Sequence, residues 1–182
     1  MKPEEVSDVF GSKLHKVLYL YSIVMNKSAK GSFDKSFQEG KLNADFIYYD
    51  CVLQVLLIEL VKLVADKSSK TLELEFWRSH FKLGEVPSVI DELVESNLEI
   101  IDTLHALRND YLVHNTKSFT QSSHILLTNK ISKANLRILI QSLCKLHLSM
   151  EDYLFEKGII KSKVGFTLDS VQFNVNEENF WT

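Results

Sequence analysis

Glycine and proline are scarce: six Gly and two Pro in 182 residues are too few for the many turns of an all-β protein, so the composition points to helices. Cysteine is scarcer still for a stapled scaffold. Cys51 and Cys144 stand far apart in apolar-periodic stretches, which reads as two reduced core thiols of a cytosolic protein. No two His are three or four positions apart, and no Cys pair or Asp cluster has ligand spacing, so neither a metal nor any other cofactor is expected. A Gly-rich phosphate loop and a Gly-x-Ser-x-Gly elbow are also missing, which removes the common nucleotide and hydrolase signatures. The amino-terminal MKPEEVSDVF lacks the apolar run of a signal peptide. The most apolar stretch, CVLQVLLIELVKLVA, carries Glu59 and Lys62 and is too short to span a bilayer. The expectation is a soluble, cytoplasmic protein with no membrane partner.

What is present fits one globular domain. Hydrophobic residues are 45% of the chain and charged residues 25%, enough for a core without staples. A net charge of −3 argues against a nucleic-acid binder, yet it averages over two unlike segments. From Asp45 to Asp102 there are five Lys or Arg against twelve acids; from Thr103 to Ser149 there are six against one. A basic tract is what phosphate binding requires, and it is equally what a solvated helix face carries.

Apolar periodicity places the elements. Val6, Phe10, Leu14, Val17, Leu18, Tyr21 and Val24 predict a first helix over about Glu4 to Lys30, and Gly31 to Gly40 a connector. Asn43 is placed to cap a second helix, about Ala44 to Ala65, apolar on nearly every side and so expected in the middle of the bundle. DKSSK breaks it, and TLELEFWRSHFK forms a shorter helix with Leu72, Phe76 and His80 along one side. Its Trp77, Arg78 and His80 read either as core or as a base-stacking patch. Ser88 with Asp91 matches a capping box. The helix it opens carries Ile90, Leu93, Asn97, Ile100, Leu104, Leu107, Tyr111 and His114 at alternating steps of three and four, the seam by which bundle helices pack. Ser132 is placed to cap a last long helix that Gly158 stops. The tail after Lys163 alternates apolar and polar, as a strand or an arm over the bundle would. The reading is an all-α, four-to-five-helix up-and-down bundle with an extended C-terminal tail. It is one domain over 1–182, made of an N-terminal helix and loop (1–41), a core bundle (42–157) and the tail (158–182).

One stretch in the basic segment, LHALRNDYLVHNTKS, sets Arg108 and His114 six positions apart. On a helix that leaves them about 120° apart around the axis and roughly 9 Å along it, so they flank a sector centred on Tyr111. A two-fold axis on this seam would gather two Arg and two His into one cleft. Imidazole can move a proton to or from an RNA 2′-hydroxyl near neutrality, and guanidinium can fork onto phosphate oxygens. The plain alternative is a helix terminus where cations offset the dipole. His105, three residues before Arg108, is placed to touch it or to lie on the surface.

Arg108, Asn109 and His114 resemble the motif of the HEPN family (higher eukaryotes and prokaryotes nucleotide-binding domains). These are all-α bundles with an Arg, usually followed by a polar residue, and a His four to six positions on. The likeness is to its abortive-infection type: the motif stands as LRNDYLVHN at a helix end, and an earlier helix begins FIYYDCVL. It extends over about Leu42 to Lys157. The resemblance implies a homodimeric, metal-independent endoribonuclease acting as a toxin or antiphage effector, alongside an antitoxin or defence-system partner protein. The alternative it offers is a catalytically inactive module that binds RNA or a protein partner. It implies His114 as acid or base, Arg108 as the phosphate cation and Asn109 as the positioning group. Thr116 stands where some HEPN toxins have a Tyr two residues after the His, so modification control through that Tyr is not implied. Beside the resemblance, Asp110 is placed one turn before His114 to orient its ring, or as a solvated carboxylate. Lys117, Lys130, Lys133 and Arg137 are placed to grip an RNA backbone, or simply to be solvated. A separate reading, outside nucleic-acid chemistry, is a small-ligand sensor with an apolar core cavity.

Overall fold

The computed structural model describes residues 1–26, 44–64, 74–107 and 131–168. They form six helices: α1 Pro3–Asn26, α2 Ala44–Val64, α3 Leu74–His80, α4 Val86–Ser96, α5 Leu98–Leu107 and α6 Lys133–Glu156. Among the described residues there is no strand, and no helix is long and apolar enough to cross a membrane.

The apolar stripe of α1 is buried along its whole length, from Val6 to Val24, so this helix belongs to the core rather than flanking it. It packs against α2 and α6. Lys16 joins it to α2 through Glu59 at 2.8 Å. Two contacts fix its direction against α6: the Tyr21 hydroxyl donates to the Lys133 carbonyl at 3.2 Å, and the Phe10 ring stacks on His147 at 6.0 Å. The two helices therefore run antiparallel.

α6 begins and ends as its sequence demands. Ser132 Oγ accepts from the Asn135 N–H at 3.1 Å while Asn135 Oδ1 accepts from the Ser132 N–H at 2.7 Å, a reciprocal cap. At the other end Gly158 takes φ +68°, and the Gly158 and Ile159 N–H groups donate to the Phe155 and Leu154 carbonyls at 2.9 Å each. That is the paired bonding of a Schellman stop, which only a left-handed residue closes without strain.

Elsewhere the structure corrects the sequence reading. The seam from Ile90 to Leu107 is buried throughout, but it is shared by two helices, because Asn97 leaves helical geometry (φ −125°, ψ 17°). Asn97 Nδ2 donates to the Leu93 carbonyl at 2.9 Å and to Ser142 Oγ of α6 at 3.1 Å, so the one polar residue in the stripe serves as a pin between helices. α4 starts two residues before the expected box. Pro87 lies in its first turn, where its fixed φ suits a helix start; Ser88 Oγ donates to the Glu85 carbonyl, and Asp91 accepts from Arg78 of α3 at 2.5 Å. The buried side of α3 is Leu74 and Trp77, with Phe81 just beyond it, while Phe76 and His80 are half-buried. α2 is not enclosed on every side: Tyr48, Cys51 and Val55 form an exposed stripe, so Cys51 is a surface thiol and Cys144 alone is a core one. Burial pushes the Cys144 thiol up to about 11, which keeps it protonated and unreactive at neutral pH.

Residues 159–168 turn back along α6 as an arm. Lys163 pairs with Asp152, the Val164 N–H donates to Glu151 Oε1 at 2.8 Å, and Leu168 is buried. The connector 31–40, the Asn43 cap, Leu72, the DKSSK break and the tail beyond Leu168 lie outside the described residues.

Candidate functional site

Arg108, Asn109, Asp110, Tyr111, His114, Lys117 and Lys130 lie outside the described residues. The structure brings the chain as far as Leu107, the last buried residue of α5. Up to that point the seam is buried within its own subunit, since α4 packs on α6, and α5 on both α2 and α6. As far as Leu107 the seam therefore leaves no open face for a second copy. His105 is half-buried on α5 and has a partner of its own.

Two of the proposed RNA contacts can be placed. Arg137 is half-buried, near enough to Tyr21 for its charge to be felt at the phenol, and it is engaged in an interaction. Lys133 is a correction. It is 0% exposed and its Nζ has no hydrogen-bond partner, so it is no surface grip for phosphate. The reason is helical phase: Lys133 shares the buried stripe of Leu136, Ile140, Leu143 and His147. Burial also holds its pKa below the ordinary 10.5. Lys133→Met keeps the shape and removes the unpaired charge, and is expected to stabilise the fold by about 1–3 kcal/mol at neutral pH in urea denaturation. The unfolded chain binds the proton that the folded one releases, so wild-type stability relative to the variant should rise with pH between the depressed folded value and 10.5. A destabilised Met variant would show that the ammonium has a partner. The base-stacking reading of α3 also falls: Trp77 is fully buried, Arg78 pairs with Glu75 and Asp91, and His80 Nδ1 lies 2.9 Å from the Phe76 carbonyl.

The cluster that the structure does assemble lies elsewhere, where α1, α6 and the arm meet. A cleft of about 330 Å³ is lined by Asp8, Ser12 and His15 of α1, His147 and Glu151 of α6, and Phe166 of the arm. His147 is 3% exposed and Glu151 6%. Gly11 admits the imidazole, since a Cβ there would lie 2.6 Å from His147 Nε2. Nε2 is thus the ring atom turned to α1. The Ser7 carbonyl, one turn earlier on α1, favours the protonated ring. Burial holds the His147 pKa below its ordinary value, against the opposing pull of Glu151, the Ser7 carbonyl and Asp8. His147 Nδ1 lies 3.8 Å from Glu151 Oε2, and neither atom has a hydrogen-bond partner. Phe166 completes the wall, 5.2 Å from the His147 ring and stacked on His15 at 5.7 Å.

Among the described residues His147 and Ser12 share no hydrogen bond, so no Ser–His–Glu relay is assembled in the cleft. Nor do three His, Cys, Asp or Glu side chains converge to hold a metal among the described residues. Its walls combine apolar surface with buried polar side chains. Sequence reasoning passed over it because His147 and Glu151 at i,i+4 look like an ordinary helix pair, as do Gly11 and His15. Comparison with protein-family profiles, with curated proteins and with solved structures finds no match to this chain.

Proposed function

We propose that the chain is a metal-independent endoribonuclease of HEPN type, acting as a cytoplasmic homodimer in a toxin or antiphage system. The observation that carries this reading is the sequence itself: Arg108-Asn109 follow directly on Leu107, with His114 six positions after Arg108, and Leu107 ends a buried seam in a chain whose described elements are helices. In this reading His114 moves the proton of the attacking 2′-hydroxyl or of the leaving 5′-oxygen, and Arg108 meets the charge growing on the phosphate. Asn109 positions the substrate, with Asp110 and Tyr111 in support. RNA then supplies its own nucleophile, and DNA is not cut because it lacks the 2′-hydroxyl.

The test is incubation of single-stranded RNA with the protein in EDTA, followed by end-group analysis. Fragments ending in 2′,3′-cyclic phosphate are expected from RNA and none from DNA. Intact RNA with retained binding on a gel would return the chain to an inactive RNA-binding module, and cleavage restored only by added metal would remove the mechanism.

A further inference from the structure

Past Gly158 the chain forms no helix or strand as far as Thr167, and it leaves Ile159, Thr167 and every residue from Lys161 to Gly165 exposed. Three of its side chains turn inward: Ile160 and Phe166 are half-buried, and Leu168 is buried. A helix carries its own ladder of backbone bonds. This arm instead leans on α6 through the Val164 N–H, which donates to Glu151 Oε1 at 2.8 Å, and through the Lys163–Asp152 pair, partly exposed and weak. Beneath it the seat is polar. Phe166 packs on the His147 ring at 5.2 Å, and His147 and Glu151 are both buried, yet His147 Nδ1 and Glu151 Oε2 have no hydrogen-bond partner. Whatever proton the imidazole carries, water would serve those two atoms better than the covered seat does. Apolar burial of Phe166 and Leu168 therefore holds the arm down against a polar cost under it.

We propose that residues 159–168 are a strap that lifts from the groove between α1 and α6 as a unit while the six helices stay folded. Gly158 is its pivot, a left-handed turn at φ +68° with nothing within 4 Å of the space a Cβ would fill. With the strap seated, His147 and Glu151 are shut from water. With it lifted, the cleft of about 330 Å³ widens into a groove floored by both. Opening of this kind lies below global unfolding in free energy because it gives up few contacts. Of the segments that meet at the cleft, the strap is the one free to leave. The stripe of α1 is buried from Val6 to Val24, and Gly11 sets α1 directly against the imidazole. The inference concerns access to the cleft and does not rest on the ribonuclease reading.

The test is hydrogen exchange on the unaltered full chain, followed at the Val164 amide and at the amide of Leu143, a buried residue inside α6. Val164 is expected to be protected about 10²- to 10⁴-fold, and Leu143 at least about a hundredfold more. Urea below the unfolding transition should leave the Val164 rate nearly flat and raise that of Leu143, because lifting the strap exposes little surface. Leu168→Ala should cut Val164 protection about tenfold or more, and that of Leu143 by less than about threefold. A shared protection and a shared urea slope at the two amides would mean that the arm leaves only with the bundle, and overturns the proposal. Exchange of Val164 at the rate of an unfolded chain also overturns it, since no strap is then seated. So does an equal loss at both amides in Leu168→Ala. If that variant does not fold, the two amides of the unaltered protein decide.

Discussion

Trp77→Ala is expected to destabilise the fold by about 3–5 kcal/mol, the cost of deleting a fully buried indole, and to lower the melting temperature by about 6–20 °C for a chain of this size. α3 has seven residues, too few to hold helical form alone, so its place depends on what it buries. Trp77 is that anchor. It is 0% exposed, its ring meets Phe10 of α1 edge-on at 5.0 Å and 87°, and Phe76 covers it at 5.3 Å and 81°. Removing it opens a void between α1 and α3, and the Arg78–Asp91 pair that ties α3 to α4, partly exposed and weak, does not offset that loss. Trp77→Phe should cost much less. It keeps a ring in the site and also removes Nε1, a buried donor with no hydrogen-bond partner, so part of the packing loss is offset. Chemical denaturation of both variants checks the pair of values. An Ala variant within about 1 kcal/mol of the wild type would show that α3 is held by something other than its indole.

The parts of this fold that local chemistry specifies were legible in the sequence. The stripe of α1 and the two ends of α6 follow from three-to-four spacing, a capping serine and one glycine, while the reciprocal bond from Asn135 showed only in the structure. Asn97 was not legible as a break, because an Asn at a seam position fits the periodicity; its partner, Ser142, is 45 residues away. Lys133 defeated the reading for a related reason. A lysine following a cap residue is ordinarily solvated, and here its place on the buried stripe of α6 outweighed that expectation. Cys51 failed the other way, since an apolar run does not reveal which side of a helix is left uncovered. The His147 cleft needs three segments from the two ends of the chain, and Gly11 in particular has no meaning until α1 lies against α6. The Arg108 and His114 motif is the converse case, legible in the chain and lying outside the described residues.

His114→Ala is expected to lower RNA cleavage by the proposed nuclease about 10²- to 10⁴-fold, the usual contribution of one positioned proton-transfer group. Arg108→Ala should lose about 10²- to 10³-fold, as when one donor to developing charge is removed. The two losses differ in their pH behaviour. Imidazole titrates near neutrality and guanidinium does not, so the wild-type rate should bend with pH in that region, Arg108→Ala should keep the bend, and the residual rate of His114→Ala should lose it. The melting temperature and far-ultraviolet spectrum of both variants, measured beside the wild type, separate a loss of chemistry from a loss of folding. The composite site adds a sharper demand. Helical spacing would set Arg108 and His114 roughly 9 Å apart along the axis, so if a two-fold axis joins them, each variant alone keeps only its residual rate while the two mixed together recover part of the activity. No recovery on mixing, from variants shown to exchange subunits, would place the Arg and His of each working pair within a single chain.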